Sequence, residues 1–442
     1  MPPTSLPSEP IDRIVGPLAR FLHVEAASGV VLLAAAVAAF ALANSPLADS
    51  FLGIWKTRVS FGFGGFQLDH SLQHWVSDGL MAIFFFVVGL EVKRELVLGQ
   101  LRDMRKAALP IAAALGGMLV PAALYLLVEW GQPAARGWGI PMATDIAFVV
   151  GCMAILGPRV PPGLRILVLS LAIADDIGAI MVIAIGYTSD LNHLALSLGL
   201  IGIGTVLLLQ RLGVRAIAVY VVVGILTWEA FHESGVHATI AGVVLGLLTP
   251  AHPWVSDNRL GRIVDQAGEI WNGEGWGRFG SPRELLQRVE TAAREAVSPL
   301  VRLERGLHPW SAFLIMPIFA LANAGVPFEG ALLTDSVALA VGLGLVVGKP
   351  LGIFLFSYVA VRLGIARLPE GVSWLVLLGG GCLAGIGFTM SLFISGLALE
   401  GAVLDAAKVG VLVASLVSGA IGMALLLALL PERSSASGAK RK

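Results

Sequence analysis

The sequence predicts an all-α polytopic membrane protein of about twelve transmembrane helices, and three observations carry that reading. Apolar residues make up 56% of the 442-residue chain, with 53 glycines beside them. Charged residues are only 14%, where globular domains carry about 25%. The apolar residues are also gathered into runs of bilayer length. Soluble domains would lack the polar surface to cover such a core, and a disordered chain would be poor in apolar residues. Formal net charge is zero, so no bulk basic field draws nucleic acid, and no nucleic-acid partner is expected. Cys152 and Cys382 both lie inside apolar runs, which excludes a disulfide scaffold and argues against a metal cluster.

A hydrocarbon core of about 30 Å needs about 20 mostly apolar residues per helix. Segments that meet this run approximately 26–44, 72–92, 107–129, 138–156, 164–187, 194–210, 214–231, 235–249, 309–326, 334–361, 373–399 and 407–430. The first is too long for a signal-peptide core, and no A-x-A site follows it. The chain thus divides into a membrane part at 1–249 (spans 1–8), a polar stretch at 250–307, a second membrane part at 308–431 (spans 9–12) and a basic tail at 432–442. The polar stretch opens as a loop bearing glycine and tryptophan. From Pro282 onward, Leu285, Leu286, Val289, Ala292, Ala293, Ala296 and Val297 fall near helical spacing and predict an amphipathic helix. We read the stretch as a cytoplasmic linker between two bundles.

Lysine and arginine orient the chain. With the N-terminus in the cytoplasm, twenty-five of the 30 basic residues fall on that side, eight of them arginines between 259 and 305. Only Lys56, Arg58, Arg136 and Lys408 fall on the other, and Lys349 lies within a span. The positive-inside rule then places both termini in the cytoplasm and makes the span number even.

Glu25, Asp78, Glu91, Glu129 and Glu229 lie near span ends, but four ionisable residues do not. Asp145 is inside span 4, Asp175 and Asp176 halfway along span 5, and Lys349 halfway along span 10. Facing lipid, the four would cost about 10–14 kcal/mol together, so they share a polar interior. A buried salt bridge that only locks helices accounts for one Asp and Lys349. It leaves two carboxylates without a basic partner, which suits a site that takes up a cation or protons. Adjacent helical residues point about 100° apart, so one of Asp175 and Asp176 serves a cavity while the other turns toward another helix, with Lys349 a candidate partner.

Spans 4 and 11 each have a helix-breaking centre. Span 4 carries Pro141 and the step Ala143-Thr144-Asp145; span 11 carries Gly379, Gly380, Gly381, Gly385 and Gly387, then Thr389 and Ser391. Non-helical backbone at that depth is tolerated where it is buried or lines a cavity, although glycines also serve close helix packing. The interrupted spans occupy comparable places in two triplets, spans 3–5 and 10–12, which begin from opposite sides of the membrane. That is the geometry of inverted repeats, with broken helices crossing near the midplane. Half-helix N-terminal ends are partly positive and C-terminal ends partly negative, and Asp145 and Lys349 are placed to offset them.

The blocks ALANSP, FFFVVGLEVKREL, MATDIAFVVG, LAIADDIGAI, GVHATIAGV, LHPW, FALANAGV, GKPLGI and GIGFTMSLFI follow in that order on these spans. From about Phe21 to about Pro431, apart from most of 257–300, the chain resembles the NhaA-type sodium/proton antiporters. The resemblance implies a transporter rather than an enzyme, without cofactor, in the bacterial inner membrane. It would exchange cytoplasmic Na⁺ or Li⁺ for external protons, two per cation, and switch on at alkaline pH. It makes Asp176 the principal ligand of the transported Na⁺, with Asp175 beside it as a proton carrier paired to Lys349. Asp145 and Thr144 would line the crossing, with Gly385 and Gly387 at the break opposite. It assigns the pH response to Glu91, Glu95, Glu304 and His237, and implies a homodimer formed through a β-hairpin in the first external loop. Residues 57–69 alternate around Gly64-Gly65, as a hairpin requires. Two departures bear on the pH response: Arg305 stands where other members have histidine, and the linker is longer than in the shorter members. Among other classes, an intramembrane aspartyl protease lacks its GxGD context here, and a channel lacks a filter element. A sodium-coupled symporter of similar repeat plan is the nearest alternative.

Overall fold

The computed structural model describes residues 25–63, 66–188, 191–271, 282–327 and 330–430. Each of the twelve predicted segments contains a helix. Helix α1 (Glu25–Ala43) is followed at a bend of 114° by α2 (Ala48–Lys56), which the hydropathy reading did not foresee. At nine residues α2 is too short to register as a span, yet it is amphipathic and buries Phe51. Strands β1 (Arg58–Phe63) and β2 (Phe66–Ser71) then pair antiparallel, with Val59 opposite His70. The predicted Gly64-Gly65 turn lies outside the described residues.

The helices that follow are α3 (Leu72–Val97), α4 (Met104–Val128), α5 (Ile146–Leu156), α6 (Pro162–Gly186), α7 (His193–Arg211), α8 (Ile217–Glu233) and α9 (Thr239–Leu248). In the linker α10 spans Asp257–Trp271 and α11 spans Pro282–Glu295. α12 covers 299–323, α13 Ser336–Arg362, α14 Trp374–Ala384, α15 Phe388–Ala398 and α16 Gly401–Leu429. Among the described residues, seven helices are long and apolar enough to cross a membrane singly, or up to nine if two bent pairs each count as one span. The predicted eighth span is shorter than expected: α9 has 10 residues, about 15 Å of helix. It starts late because Gly235, at φ 82°, turns the chain in a left-handed conformation just before it.

The linker corrects one expectation. Where a loop was expected between 250 and 281, Asp257–Trp271 is helical. Leu260, Ile263, Val264 and Ala267 keep a helical period there, sparse but sufficient once α11 packs against it. Glu295 joins the two ends of the linker and faces the bundle at Arg215. Its backbone carbonyl accepts from the Trp254 and Val255 amides, at 3.1 and 3.2 Å, and its carboxylate lies 3.9 Å from Arg215. The basic tail at 432–442 lies outside the described residues.

One apolar core runs through both membrane parts, from Leu32 to Leu430. Within it α4 and α13 approach closely where Gly116 and Gly352 meet. A Cβ on either would strike the other's backbone carbonyl, so the two helices pack backbone to backbone, as small residues permit in membranes. α3 and α9 meet in the same way at Gly89 and Gly246.

Candidate functional site

The two interrupted passes build the site, because a helix break frees backbone groups that must find other partners. Pro133, Gly137, Gly139 and Pro141 disfavour an α-helix, and Pro133–Met142 winds instead as a 3-10 helix. Ala143 and Asp145 are extended before α5 begins. Opposite, α14 and α15 are bent by 49° across Gly385–Gly387. The breaks are hydrogen-bonded to each other. The Asp145 amide donates to Ile386 O at 2.7 Å, Thr144 Oγ1 to Ala384 O at 2.9 Å, and Ser391 Oγ to Ile140 O at 2.7 Å.

Four half-helix ends therefore meet, and each has a partner of suitable charge. Asp145 serves both N-terminal ends. Its Oδ1 accepts from the Phe148 amide at 3.3 Å, in the first turn of α5. Its Oδ2 accepts from the Thr389 amide at 3.1 Å and from the Thr389 hydroxyl, in the first turn of α15. Lys349 serves a C-terminal end, its ammonium donating to the carbonyl of Met142, last residue of the 3-10 helix. The Thr144 hydroxyl serves the other at Ala384. Carboxylate at the positive ends and ammonium at a negative end is the favourable arrangement for the helix dipoles.

Gly385 and Gly387 sit at the break with negative φ, so glycine is not there for a left-handed turn. A Cβ on Gly387 would crowd Ser391 Oγ, Leu345 and the Ala143 carbonyl, and one on Gly385 would meet Leu345 O at 2.5 Å. Gly379, Gly380 and Gly381 pack against Leu426, Leu164 and Pro350. Span 11 thus uses glycine both for close packing and at the break.

Lys349 enters from α13 immediately after a π-helical stretch, Gly344–Gly348. Pro350 has no N–H to offer the Val346 carbonyl, so the preceding turn re-pairs over a wider ring. The ammonium also donates to Asp175 Oδ2 at 2.6 Å, with 0% and 1% of the two side chains exposed. Asp176 is likewise buried, at 4% exposure. The turn of about 100° between neighbours gives Asp175 to Lys349, whereas Asp176 makes no hydrogen bond or ion pair among the described residues. Asp175 Oδ1 is also without a hydrogen-bond partner among them. The crossing therefore holds two satisfied charges, Asp145 and Lys349, one half-used carboxylate and one unengaged carboxylate.

The four residues assigned to a pH response fall in two places. Glu304 accepts from Arg94 Nη1 at 2.5 Å, and Glu91 lies 4.0 Å from His308 Nε2. Glu95 turns away from both: its Oε1 accepts from the Gln100 amide at 2.7 Å and lies 3.5 Å from Ser170 Oγ on α6. Burial pushes the Glu304 carboxyl above its ordinary value, with the Arg94 guanidinium opposing. His237 is near the other end of α3, with Nδ1 2.7 Å from Thr239 Oγ1 and Nε2 3.6 Å from Asp78 Oδ1. Sequence reasoning placed Thr389 in the broken span and Asp78 near a span end but gave no partner to either, nor to Arg94. Asp78 carried a local sign, since His74 precedes it by one helical turn and lies 3.1 Å away; nothing in the spacing of Thr389 or Arg94 reveals a partner more than 200 residues distant.

Comparison with known proteins shows the family to which the chain belongs. The family model for Na⁺/H⁺ antiporter 1 matches residues 19–426. The chain is similar to the Na⁺/H⁺ antiporter NhaA of Rhodopirellula baltica, 57% identical over 427 residues that cover 97% of each chain. It is also similar to the Na⁺/H⁺ antiporter NhaA of Rhizobium meliloti, 51% identical over 97% of this chain and 98% of that one. A third relative, Na⁺/H⁺ antiporter NhaA 2 of Vibrio vulnificus, is 48% identical over 96% of this chain and 95% of its own. With apolar helices of spanning length and a match along nearly its whole length, the chain is a multi-pass membrane protein and a transporter rather than an enzyme, and it belongs to the NhaA-type Na⁺/H⁺ antiporter family.

Proposed function

We propose that the protein exchanges cytoplasmic Na⁺ or Li⁺ for external protons, two protons per cation, across the bacterial inner membrane with both termini in the cytoplasm. The observation that carries this reading is Asp176, a buried carboxylate with no hydrogen bond or ion pair among the described residues, next to an Asp175–Lys349 pair at the crossing. Asp176 holds the cation, and the second carboxylate joins it when Asp175 leaves Lys349. Two protons returning to the same groups displace the cation. One positive charge then moves inward per cycle, so the exchange is electrogenic. Asp145, Thr144 and Lys349 hold the half-helix ends together while access alternates around them, and Gly385 and Gly387 allow the close crossing. Glu91, Glu95, Glu304 and His237 set the pH response, and the β1–β2 hairpin supports a homodimer.

The test uses everted vesicles acidified by respiration, a pH-sensitive dye and alkaline buffer. Added NaCl should alkalinise the lumen with the native protein and not with Asp176→Asn. Apparent Na⁺ affinity should rise with pH, because cation and protons compete for the same carboxylates. A Na⁺-driven acidification would indicate symport instead, and an affinity independent of pH would refute the competition.

A further inference from the structure

A second cluster of ligating side chains stands outside the crossing, where the hairpin joins α3. His70 in β2, His74 in the first turn of α3 and His232 near the end of α8 each offer a ring nitrogen, and the three atoms lie within 4.8 Å of one another. The strand-to-helix junction brings His70 and His74 together, with rings stacked at 4.3 Å; the His232 ring is 5.4 and 5.3 Å from them. Trp75 and Trp228 wall the cluster, the second stacking on His232. Two carboxylates complete its surroundings. Asp78 Oδ2 is 3.1 Å from His74 Nε2, and Glu229 precedes His232 by one helical turn. Glu229 Oε2 is buried and has no hydrogen-bond partner among the described residues. Both carboxylates act electrostatically on His70 and His232.

We infer that His70, His74 and His232 form a binding site for a divalent transition-metal ion of the Zn²⁺ class. Three imidazoles with an open fourth position are a common Zn²⁺ set, and imidazole donors favour Zn²⁺, Ni²⁺ and Cu²⁺ over Mg²⁺ or Ca²⁺. Tetrahedral Zn–N bonds of about 2.1 Å place ligand nitrogens about 3.4 Å apart, so nitrogens that lie within 4.8 Å of one another have little distance left to close. The two carboxylates balance the charge of a divalent ion, and His74 Nε2, 3.1 Å from Asp78 Oδ2, is without a hydrogen-bond partner among the described residues. The three ligands come from the hairpin, α3 and α8, so the ion clamps the hairpin to the bundle. The site is near the start of α3, away from the Arg94–Glu304 pair near its other end. It needs nothing from the Asp175–Asp176 region, and its failure would leave the proposed exchange untouched.

The test is Zn²⁺ titration of chelator-stripped, full-length protein by calorimetry, with Co²⁺ absorption as a second probe. One Zn²⁺ per chain is expected, with tetrahedral Co²⁺ bands. His70→Gln and His232→Gln should each weaken binding by at least about 10-fold, while Na⁺/H⁺ exchange in metal-free buffer stays at the native level and shows the variants folded. A readout that needs no variant is histidine modification of the native protein by diethyl pyrocarbonate. Zn²⁺ should protect these three histidines and leave His252 reactive. No Zn²⁺ uptake by the native protein, uptake unchanged in both variants, or modification unaffected by Zn²⁺ would each overturn the inference and leave the cluster an aromatic packing motif.

Discussion

Lys349→Met gives the sharpest test of how the crossing is held. The side chain keeps its length and loses its charge. Two partners are then abandoned: the Met142 carbonyl at the end of the 3-10 helix, and Asp175, bonded at 2.6 Å and 1% exposed. Removing one member of a buried pair costs about 3–5 kcal/mol, because the remaining charge has neither water nor partner. With an unfolding entropy of about 2 cal/mol/K per residue and 442 residues, that predicts a melting temperature lower by roughly 3–5 °C. Asp175→Asn/Lys349→Met removes both charges, so most of the loss should return and leave the double variant within about 2 °C of native. The coupling from the double-mutant cycle should be about 2 kcal/mol or more. The assay is the melting of purified protein in detergent, for native, both single and the double variants, in Na⁺-free buffer. A single variant that melts with the native protein, or a double variant whose loss is the sum of the singles, would refute an ammonium shared between Asp175 and Met142.

Three further outcomes follow from the same geometry. Asp145→Ala deletes the acceptor of three hydrogen bonds at two helix N-termini and should cost about 4.5–9 kcal/mol at about 1.5–3 each, as charge-assisted bonds. Asp145→Asn should lose about half, and equal melting of the two variants would contradict the shared cap. Gly352→Val drives a side chain into the Gly116 carbonyl and should destabilise by about 1–3 kcal/mol. Gly342→Val on the same helix, where a Cβ meets nothing within 4 Å, should be near neutral. For Glu304, burial raises the carboxyl in the folded protein, so its contribution is greatest below the unfolded value and is lost as pH rises through the folded one. Glu304→Gln does not titrate, so its melting temperature relative to native should climb as pH increases; a constant difference would count against the buried acid.

Much of the crossing was readable in the chain because its residues violate the bilayer's own rule. An Asp or Lys in mid-span is costly enough to need a partner, and a proline or glycine run there needs a reason. Those two constraints named Asp145, Asp175, Asp176 and Lys349, the two broken spans, and the assignment of Asp145 and Lys349 to half-helix ends. Local patterns also predicted α11 and the alternation of the hairpin strands, since both depend on neighbours close in sequence.

Most of the partners were settled by the fold. Adjacency on a helix says that Asp175 and Asp176 diverge and the resemblance pairs Asp175 with Lys349; the position of α13 brings that pair together and leaves Asp176 without a hydrogen bond or ion pair among the described residues. Asp145 was expected to offset the positive half-helix ends, and it reaches both of them because α15 arrives with Thr389 at its first turn. The helix at Asp257–Trp271 forms where its sparse apolar face has α11 to cover it. His70, His74 and His232 become a cluster only when β2, α3 and α8 converge, a juxtaposition no spacing encodes. Sequence determined the residues that could not face lipid, since burial of charge and loss of backbone hydrogen bonds are local costs. Tertiary structure decided their partners, because a hydrogen bond between residues 145 and 389 depends on two helix axes and a distance that exist only after folding.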